Sequence, residues 1–164
     1  MNSKRKVGGQ MVLREAVVST ISHSTEDPEK VKMSMLELLP RDIRGKYAER
    51  FTLHVYKGFH GNEIKFIQIV IKGKDAMLLL ENVFCNLARS STGMLLDTLD
   101  ERTDCSGNLY LRIGKQNAYK GRIELLEGDD IIRVVFKPRY HRGNFWVEFL
   151  SSQMTAWCKD WPPI

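Results

Sequence analysis

Four stretches of this sequence carry side chains able to act on a ligand or hold one. At Lys57-Gly58-Phe59-His60-Gly61-Asn62 a cation, an aromatic ring and an imidazole are set among two glycines. Glycine lets the backbone approach a phosphate, and Phe59 can stack on an unpaired base. The same residues also suit a tight turn with Phe59 packed inward. At residues 108–112, Asn108, Tyr110 and Arg112 alternate with Leu109 and Leu111. Strand periodicity puts an amide, a phenol and a guanidinium on one face, a set that stacks on bases and bonds their edges or phosphates. Lys115, Gln116, Asn117, Tyr119, Lys120 and Arg122 follow, with no acidic residue between positions 105 and 123. This is the strongest candidate RNA surface, and a solvated strand face with a loop is its plain alternative. Lys137, Arg139, Tyr140, His141 and Arg142 again mix cations with an aromatic, suited either to backbone phosphates or to a solvated connector.

The fourth stretch is acidic. Asp97, Asp100, Glu101 and Asp104 recur at helical spacing, where carboxylates can hold Mg²⁺ for phosphodiester hydrolysis or simply form a solvated helix face. A metal site needs carboxylates converging from separate elements, which one helix does not provide. No serine or cysteine stands in a nucleophile motif, and no phosphate-cradling glycine loop occurs. His23, His54, His60 and His141 have no partners at metal or triad spacing. The residues therefore predict no catalytic centre, no metal and no cofactor.

Cys85, Cys105 and Cys158 are odd in number and far apart, a poor disulfide framework without metal-ligand spacing. Cys85 falls in an apolar helical pattern and reads as a small buried hydrophobe. The longest apolar run, residues 76–80, is far short of the roughly 20 residues a membrane span needs. Lys4, Arg5 and Lys6 are not followed by an apolar segment of the secretory kind, so the sequence predicts a cytoplasmic protein. Net charge is +5, and its excess lies toward the ends. Residues 1–50 hold ten basic against seven acidic groups and residues 137–164 four against two, while 51–136 balance at eleven each. That distribution suits a polyanionic partner without requiring one.

The elements that must position these groups follow from periodicity. Residues 12–23 are rich in β-branched types and predict a long first strand. Asp27-Pro28 is a helix N-cap and first-turn proline, with Val31, Met35, Leu38 and Leu39 behind it and Pro40 as the stop. Residues 41–50 read as a polar connection. Phe51, Leu53 and Val55 alternate with Thr52, His54 and Tyr56, a strand with its apolar side buried that pairs with residues 64–72 as a hairpin. Ala76, Leu79, Leu80, Val83, Phe84 and Leu87 mark an amphipathic helix, broken at residues 90–93, with a short helix at 94–99. Residues 108–113 predict a strand and 115–119 a turn or a single helical turn. Residues 122–126 and 131–137 predict a second hairpin across Gly128. Phe145, Trp146, Phe149, Leu150, Met154 and Trp157 line a helix spanning 143–158 that docks on the rest. The whole predicts a single α+β domain, with three to four helices against a mostly antiparallel or mixed sheet of five to six strands and a flexible tail at 1–10.

Three segments, in order and spacing, also resemble a known family. They are residues 21–31, from Ile21-Ser22-His23 through Asp27-Pro28 to Val31; Gly58-Phe59-His60-Gly61-Asn62-Glu63-Ile64; and Leu99-Asp100-Glu101-Arg102 with 107–112, Lys115-Gln116 and Gly128-Asp129-Asp130-Ile131. Over residues 12–137 the chain is similar to an archaeal family of small predicted RNA-binding proteins linked by inference to the exosome. The resemblance implies a fold like that of the ribosomal protein that escorts 5S rRNA. It also implies an RNA partner and an accessory role in RNA processing or decay, alongside subunits of such a complex. Gly114 stands where the family tends to carry an acidic residue, so any role of that carboxylate is absent here. The residues themselves leave a metal-dependent ribonuclease and a protein-interaction adaptor as the other readings.

Overall fold

The β-branched run near the N-terminus becomes the middle of a sheet. Strand β1 (Leu13–Ser22) is flanked by β3 (Glu63–Lys72) and β5 (Ile131–Pro138), with β2 (Thr52–Lys57) outside β3 and β4 (Leu109–Gly114) outside β5. All four pairings are antiparallel. The structure is a computed structural model that describes residues 12–140, 143 and 145–158. The tail expected at 1–10 lies outside the described residues.

Alternation along the strands gives the sheet two different faces. In register across β3, β1 and β5 run Ile71, Ala16 and Phe136, then Ile69, Val18 and Val134, then Ile67, Thr20 and Ile132. Leu109, Leu111 and Ile113 continue these rows onto β4, and every residue named is buried. The helices cover this face. α1 (Pro28–Leu36) starts as the sequence predicts, with the Asp27 carboxylate accepting from the Glu29 amide at 3.0 Å. α3 (Lys74–Cys85) buries Ala76, Leu79, Leu80, Val83 and Phe84. α5 (Lys115–Tyr119) is the expected single turn.

Six helices occur among the described residues, and two fall where the sequence reads otherwise. Residues 41–50, which read as a polar connection, contain α2 (Arg41–Tyr47). Only Ile43 and Tyr47 mark its inner side, one i,i+4 pair, too little for periodicity to reveal. Its anchor is polar. Tyr47 Oη donates to Asp75 Oδ2 at 2.5 Å and Lys46 Nζ bonds the same oxygen at 2.6 Å. Burial opposes ionisation of Asp75, but the bonds from Lys46 and Tyr47 outweigh it and hold the carboxyl below its usual pKa. The tyrosine hydroxyl is pushed up in turn, first by burial and then by the bond to Asp75. The break expected at residues 90–93 is instead inside α4 (Arg89–Asp97). Its hydroxyls are occupied: Ser91 Oγ accepts from the Leu125 amide at 2.9 Å, and Thr92 Oγ1 donates to the Ala88 carbonyl.

Three further expectations are corrected. Leu53 and Val55 are exposed, because β2 is an edge strand beyond the strands on which α1 and α3 pack. Residues 122–126 do not form a hairpin with β5, whose two sides are taken by β1 and β4. They run along the outer edge of β4, with the Gly114 amide donating to the Glu124 carbonyl and the Leu126 amide to the Arg112 carbonyl, both at 3.0 Å. Finally, Cys85 is not a lone hydrophobe. It is disulfide-bonded to Cys158 across a sequence separation of 73 residues.

That bond ties the end of α3 to the residue after α6 (Phe145–Trp157). Trp146, Phe149, Leu150 and Met154 of α6 are buried, Trp146 Nε1 donates to the Gly107 carbonyl at 2.7 Å, and the Trp146 ring lies 6.4 Å from that of Phe136. No helix among the described residues is long and apolar enough to cross a membrane. On chain-entropy grounds a loop of this length contributes about 4 kcal/mol. Cys158→Ser is expected to lose that amount in urea unfolding, and reductant is expected to bring the native chain to the same curve; coincident curves for oxidised native chain and variant would contradict it.

Candidate nucleic-acid interface

Strand direction decides which candidate groups meet. β1, β2 and β4 end where β3 and β5 begin, so one end of the sheet collects the β2–β3 tip, the turn at 23–27, α5 and the loop at 127–130. Arg139 and Tyr140 follow β5 at the opposite end, where the Arg139 amide bonds the Val12 carbonyl at 2.8 Å. Both are exposed, but the ten residues of β1 separate them from the tip, about 30 Å. Arg142 and His141 lie outside the described residues.

The tip is built to expose its aromatic. The Gly58 amide bonds the Asn62 carbonyl at 2.7 Å and the Gly61 amide bonds the Gly58 carbonyl at 2.9 Å. Gly61 takes φ 77°, a conformation that favours glycine, and a Cβ on Gly58 would sit 2.5 Å from Asn62 Oδ1, so that side chain would have to give way. Phe59 is 99% exposed, which overturns the inward-packed alternative. His60 meets its ring edge-on at 5.2 Å, and both Lys57 and His60 are exposed. Across the same end of the sheet Gln116, Tyr119, Lys120 and Arg122 are exposed as well. Beside Tyr119 and Gln116 lies a groove of about 400 Å³ that also takes in Lys30 and Asp27.

Lys115 must be removed from the candidate surface. It is 2% exposed, and its Nζ donates to the Ile21 carbonyl at 2.7 Å and to both oxygens of Glu26 at 3.1 and 3.2 Å. Asp130 Oδ1 is 3.3 Å away. The lysine is an internal clamp, with no donor left for a phosphate.

The stretch that is acid-free in sequence acquires carboxylates in space. Asp104 accepts from the amides of Ser106 and Asn108, from Asn108 Nδ2 and from Tyr110 Oη, at 2.9 to 3.0 Å. Desolvation works against its charge, yet the bonds from Asn108, Tyr110 and Ser106 prevail and lower its pKa below 3.8. Tyr110 is raised, first by the bond to Asp104, then by burial and by the carboxylate's charge. Arg112 donates to the Gly128 carbonyl and lies 3.9 Å from Glu127, while Asn117 reaches Glu124 at 3.2 Å. The acidic set 97–104 does not share a helix face, because α4 ends at Asp97 and Asp104 turns to the loop it caps.

The sequence reading missed the side of the sheet opposite the helices. Thr52, Gln68, Ser19, Arg133 and Arg112 form one row in register across all five strands. Beside it run His54, Phe66 and Ile21, and on the other side Val70, Val17, Val135 and Tyr110. The Arg133 guanidinium stacks over Tyr110, 4.9 Å from its ring centre. A signal did exist: Ile64, Phe66, Gln68 and Val70 alternate with the buried Ile67, Ile69 and Ile71, the mark of a strand whose second face has its own chemistry.

A mixed α+β layer with aromatic and cationic groups on its free surfaces is the build of a nucleic-acid-binding domain, and comparison with known proteins agrees. Residues 15–138 match a family described as RNA binding. The chain belongs to that family. It is 33% identical over 134 residues to RNA-binding protein PAB1135 of Pyrococcus abyssi, covering 81% of this chain and 86% of the relative. Protein AF2318 from Archaeglobus fulgidus, a solved structure of the DUF54 family, superposes with a TM-score of 0.61 at 30% identity, covering 76% of this chain and 86% of that one. Protein SSO0741 from Sulfolobus solfataricus, of the same family, gives a TM-score of 0.68 at 24% identity over 83% of this chain and 94% of that one. The archaeal family the sequence resembles and the α+β class are thus both established.

Two outcomes follow for the groups withdrawn from the surface. Lys115→Ala, which strands the Glu26 and Asp130 carboxylates, is expected to cost about 3 kcal/mol of stability with no change in the salt dependence of ligand binding by the folded protein. Calorimetry and salt titration read the two separately, and an unchanged stability would contradict the clamp. For Asp104, whose pKa is depressed by folding, the stabilisation is full above 3.8 and is lost as pH falls through the lower folded-state value. Urea unfolding between about pH 5 and about pH 2 is expected to show a loss for the native chain that Asp104→Asn lacks.

Proposed function

We propose that this chain binds RNA without cutting it, as an accessory factor in RNA processing or decay of the kind tied to the exosome. The observation that supports the reading most is the end of the sheet that holds exposed Lys57, Phe59 and His60 on one side and exposed Gln116, Tyr119, Lys120 and Arg122 on the other. A bare phenylalanine at a glycine-built tip gains nothing for folding, and it suits stacking on a base. Lysine and arginine nearby supply phosphate contacts that fix the ligand's path. Family membership over residues 15–138 supports the same reading. Arg139 and Tyr140, at the far end, serve a longer RNA or none.

The ribonuclease reading gains no support from the acidic set, whose members are spread between a helix end and a loop cap. The adaptor reading gains no support from α6, whose own apolar residues Trp146, Phe149, Leu150 and Met154 are buried within the chain. In our reading the chain acts as one domain in the cytoplasm, with α6 a fixed part of it and no cofactor.

Anisotropy titration of a labelled RNA at several salt concentrations tests this. Each phosphate contact adds roughly −0.7 to the slope of log affinity on log salt for single strands. With about four contacts, affinity falls about fiftyfold between roughly 50 and 200 mM salt. Lys120→Ala and Arg122→Ala are each expected to flatten the slope by about 0.7, while Phe59→Ala weakens binding at unchanged slope. Absence of saturable binding at low salt would overturn the reading, and oligonucleotide release that needs Mg²⁺ would replace it with the nuclease.

A further inference from the structure

We propose that the helix-free face of the sheet is a stacking platform for unpaired RNA, a site that deepens and rests on the RNA-binding reading. The face is unlike an ordinary solvated sheet surface. Two apolar rows, His54, Phe66 and Ile21 on one side and Val70, Val17 and Val135 on the other, flank the polar row that runs through Gln68, Ser19 and Arg133. Ile21 and His54 are exposed, Val17, Phe66 and Val70 half-buried and Val135 buried; apolar groups partly open to solvent on a folded chain mark a surface that takes a ligand or partner.

Its charges select which one. The strand positions on this face carry four cations, Arg112, Arg133, Lys72 and Lys137, against the single carboxylate of Glu15, which pairs with Lys137 at 3.2 Å. Arg112 is partly engaged by its own loop: it donates to the Gly128 carbonyl, and its buried Nε lies 3.9 Å from Glu127. Arg133 is exposed with its guanidinium laid on Tyr110, an arrangement that leaves its donors available to a phosphate while its plane stays fixed. Aromatic and apolar rows beside the cations of the same face together match a strand of nucleotides, with bases on the rows and phosphates against Arg133, Lys72 and Lys137.

The same geometry distinguishes unpaired from paired RNA. A duplex offers phosphate ridges and a shallow groove, with its base planes already stacked, so Phe66 and His54 have nothing to stack on. Five strands at about 4.8 Å spacing give a platform about 19 Å across, and sheets of similar breadth stack roughly two or three bases. Within the row across the sheet, exposed Thr52 and Arg133 and half-buried Gln68 provide hydroxyl, guanidinium and amide groups for base edges and backbone, while Ser19 is buried. After the His54 and Phe66 row, the next row on this face pairs exposed Tyr56 with Ile64, and the β2–β3 tip with Phe59 lies beyond it.

The test uses the full chain and two labelled probes, a ten-nucleotide oligo(A) and a blunt RNA duplex of the same length. Phe66→Leu keeps the strand and its apolar volume but removes the ring; it is expected to weaken oligo(A) binding roughly five- to a hundredfold at unchanged salt slope. Arg133→Ala is expected to weaken it and flatten the slope by about 0.7. Thermal unfolding confirms that both variants fold, and Gln68→Ala replaces either one that does not, with a severalfold loss expected. The native chain is expected to prefer oligo(A) to the duplex. Equal affinity for the two probes overturns the platform. So does native affinity in the variants, which returns the face to a protein partner and leaves RNA binding at the tip intact. Failure of the native chain to bind either probe overturns the function itself.

Discussion

A buried ammonium group holds the working end of this molecule together. Lys115 Nζ bonds the last turn of β1 through the Ile21 carbonyl, the approach to α1 through Glu26, and the loop before β5 through Asp130. A charge taken from water is tolerable only when its donors are occupied and an opposite charge is close. The three partners therefore cannot drift independently. Glu26 is fixed a second time, by the His23 amide at 2.8 Å, so the turn at 23–27 is tied to itself and to α5. Everything presented at that end of the sheet, from Tyr119 to the loop at Glu127, is positioned relative to this one nitrogen.

The same lysine marks the boundary of what can be read from a chain. By type and neighbourhood, Lys115 belongs with Lys120 and Arg122; only the path of β1 and α1 brings Glu26 onto it from 89 residues away. The 105–123 stretch looked uncompensated for the same reason. Its carboxylates, Asp104, Glu124 and Glu127, sit just outside the window and fold back onto it. Period-2 alternation read the strands well, because burial on one side repeats at every second residue. It misjudged Leu53 and Val55, since alternation reports which residues share a face and not whether a helix reaches it. The disulfide partners were beyond inference, as two cysteines 73 residues apart meet only through the docking of α6 on α3.

Most of the candidate surface was legible in type but not in arrangement. Phe59 and His60 announce themselves by standing between glycines, and Tyr119, Lys120 and Arg122 by the absence of acidic residues around them. Phe66 and Arg133 do not, because each sits inside a hydrophobic strand and passes for part of its core. Their common face exists only once β3, β1 and β5 are in register. A function spread over a sheet is in this sense a property of pairing, whereas a function confined to a turn is a property of local sequence.

The link between Cys85 and Cys158 also gives the backbone a closed covalent ring. α4, α5, β4, β5 and α6 all lie inside it, while β1, β2, β3, α1 and α2 lie outside and α3 joins it only at Cys85. A single cut in an exposed turn of the ring, such as the one at Gly121, leaves the fragments joined as one molecule under oxidising conditions. The central sheet draws strands from both sides of the ring, so β5 stays hydrogen-bonded to β1 after such a cut. The outer half of the sheet can therefore survive a nick that would release it from a linear chain.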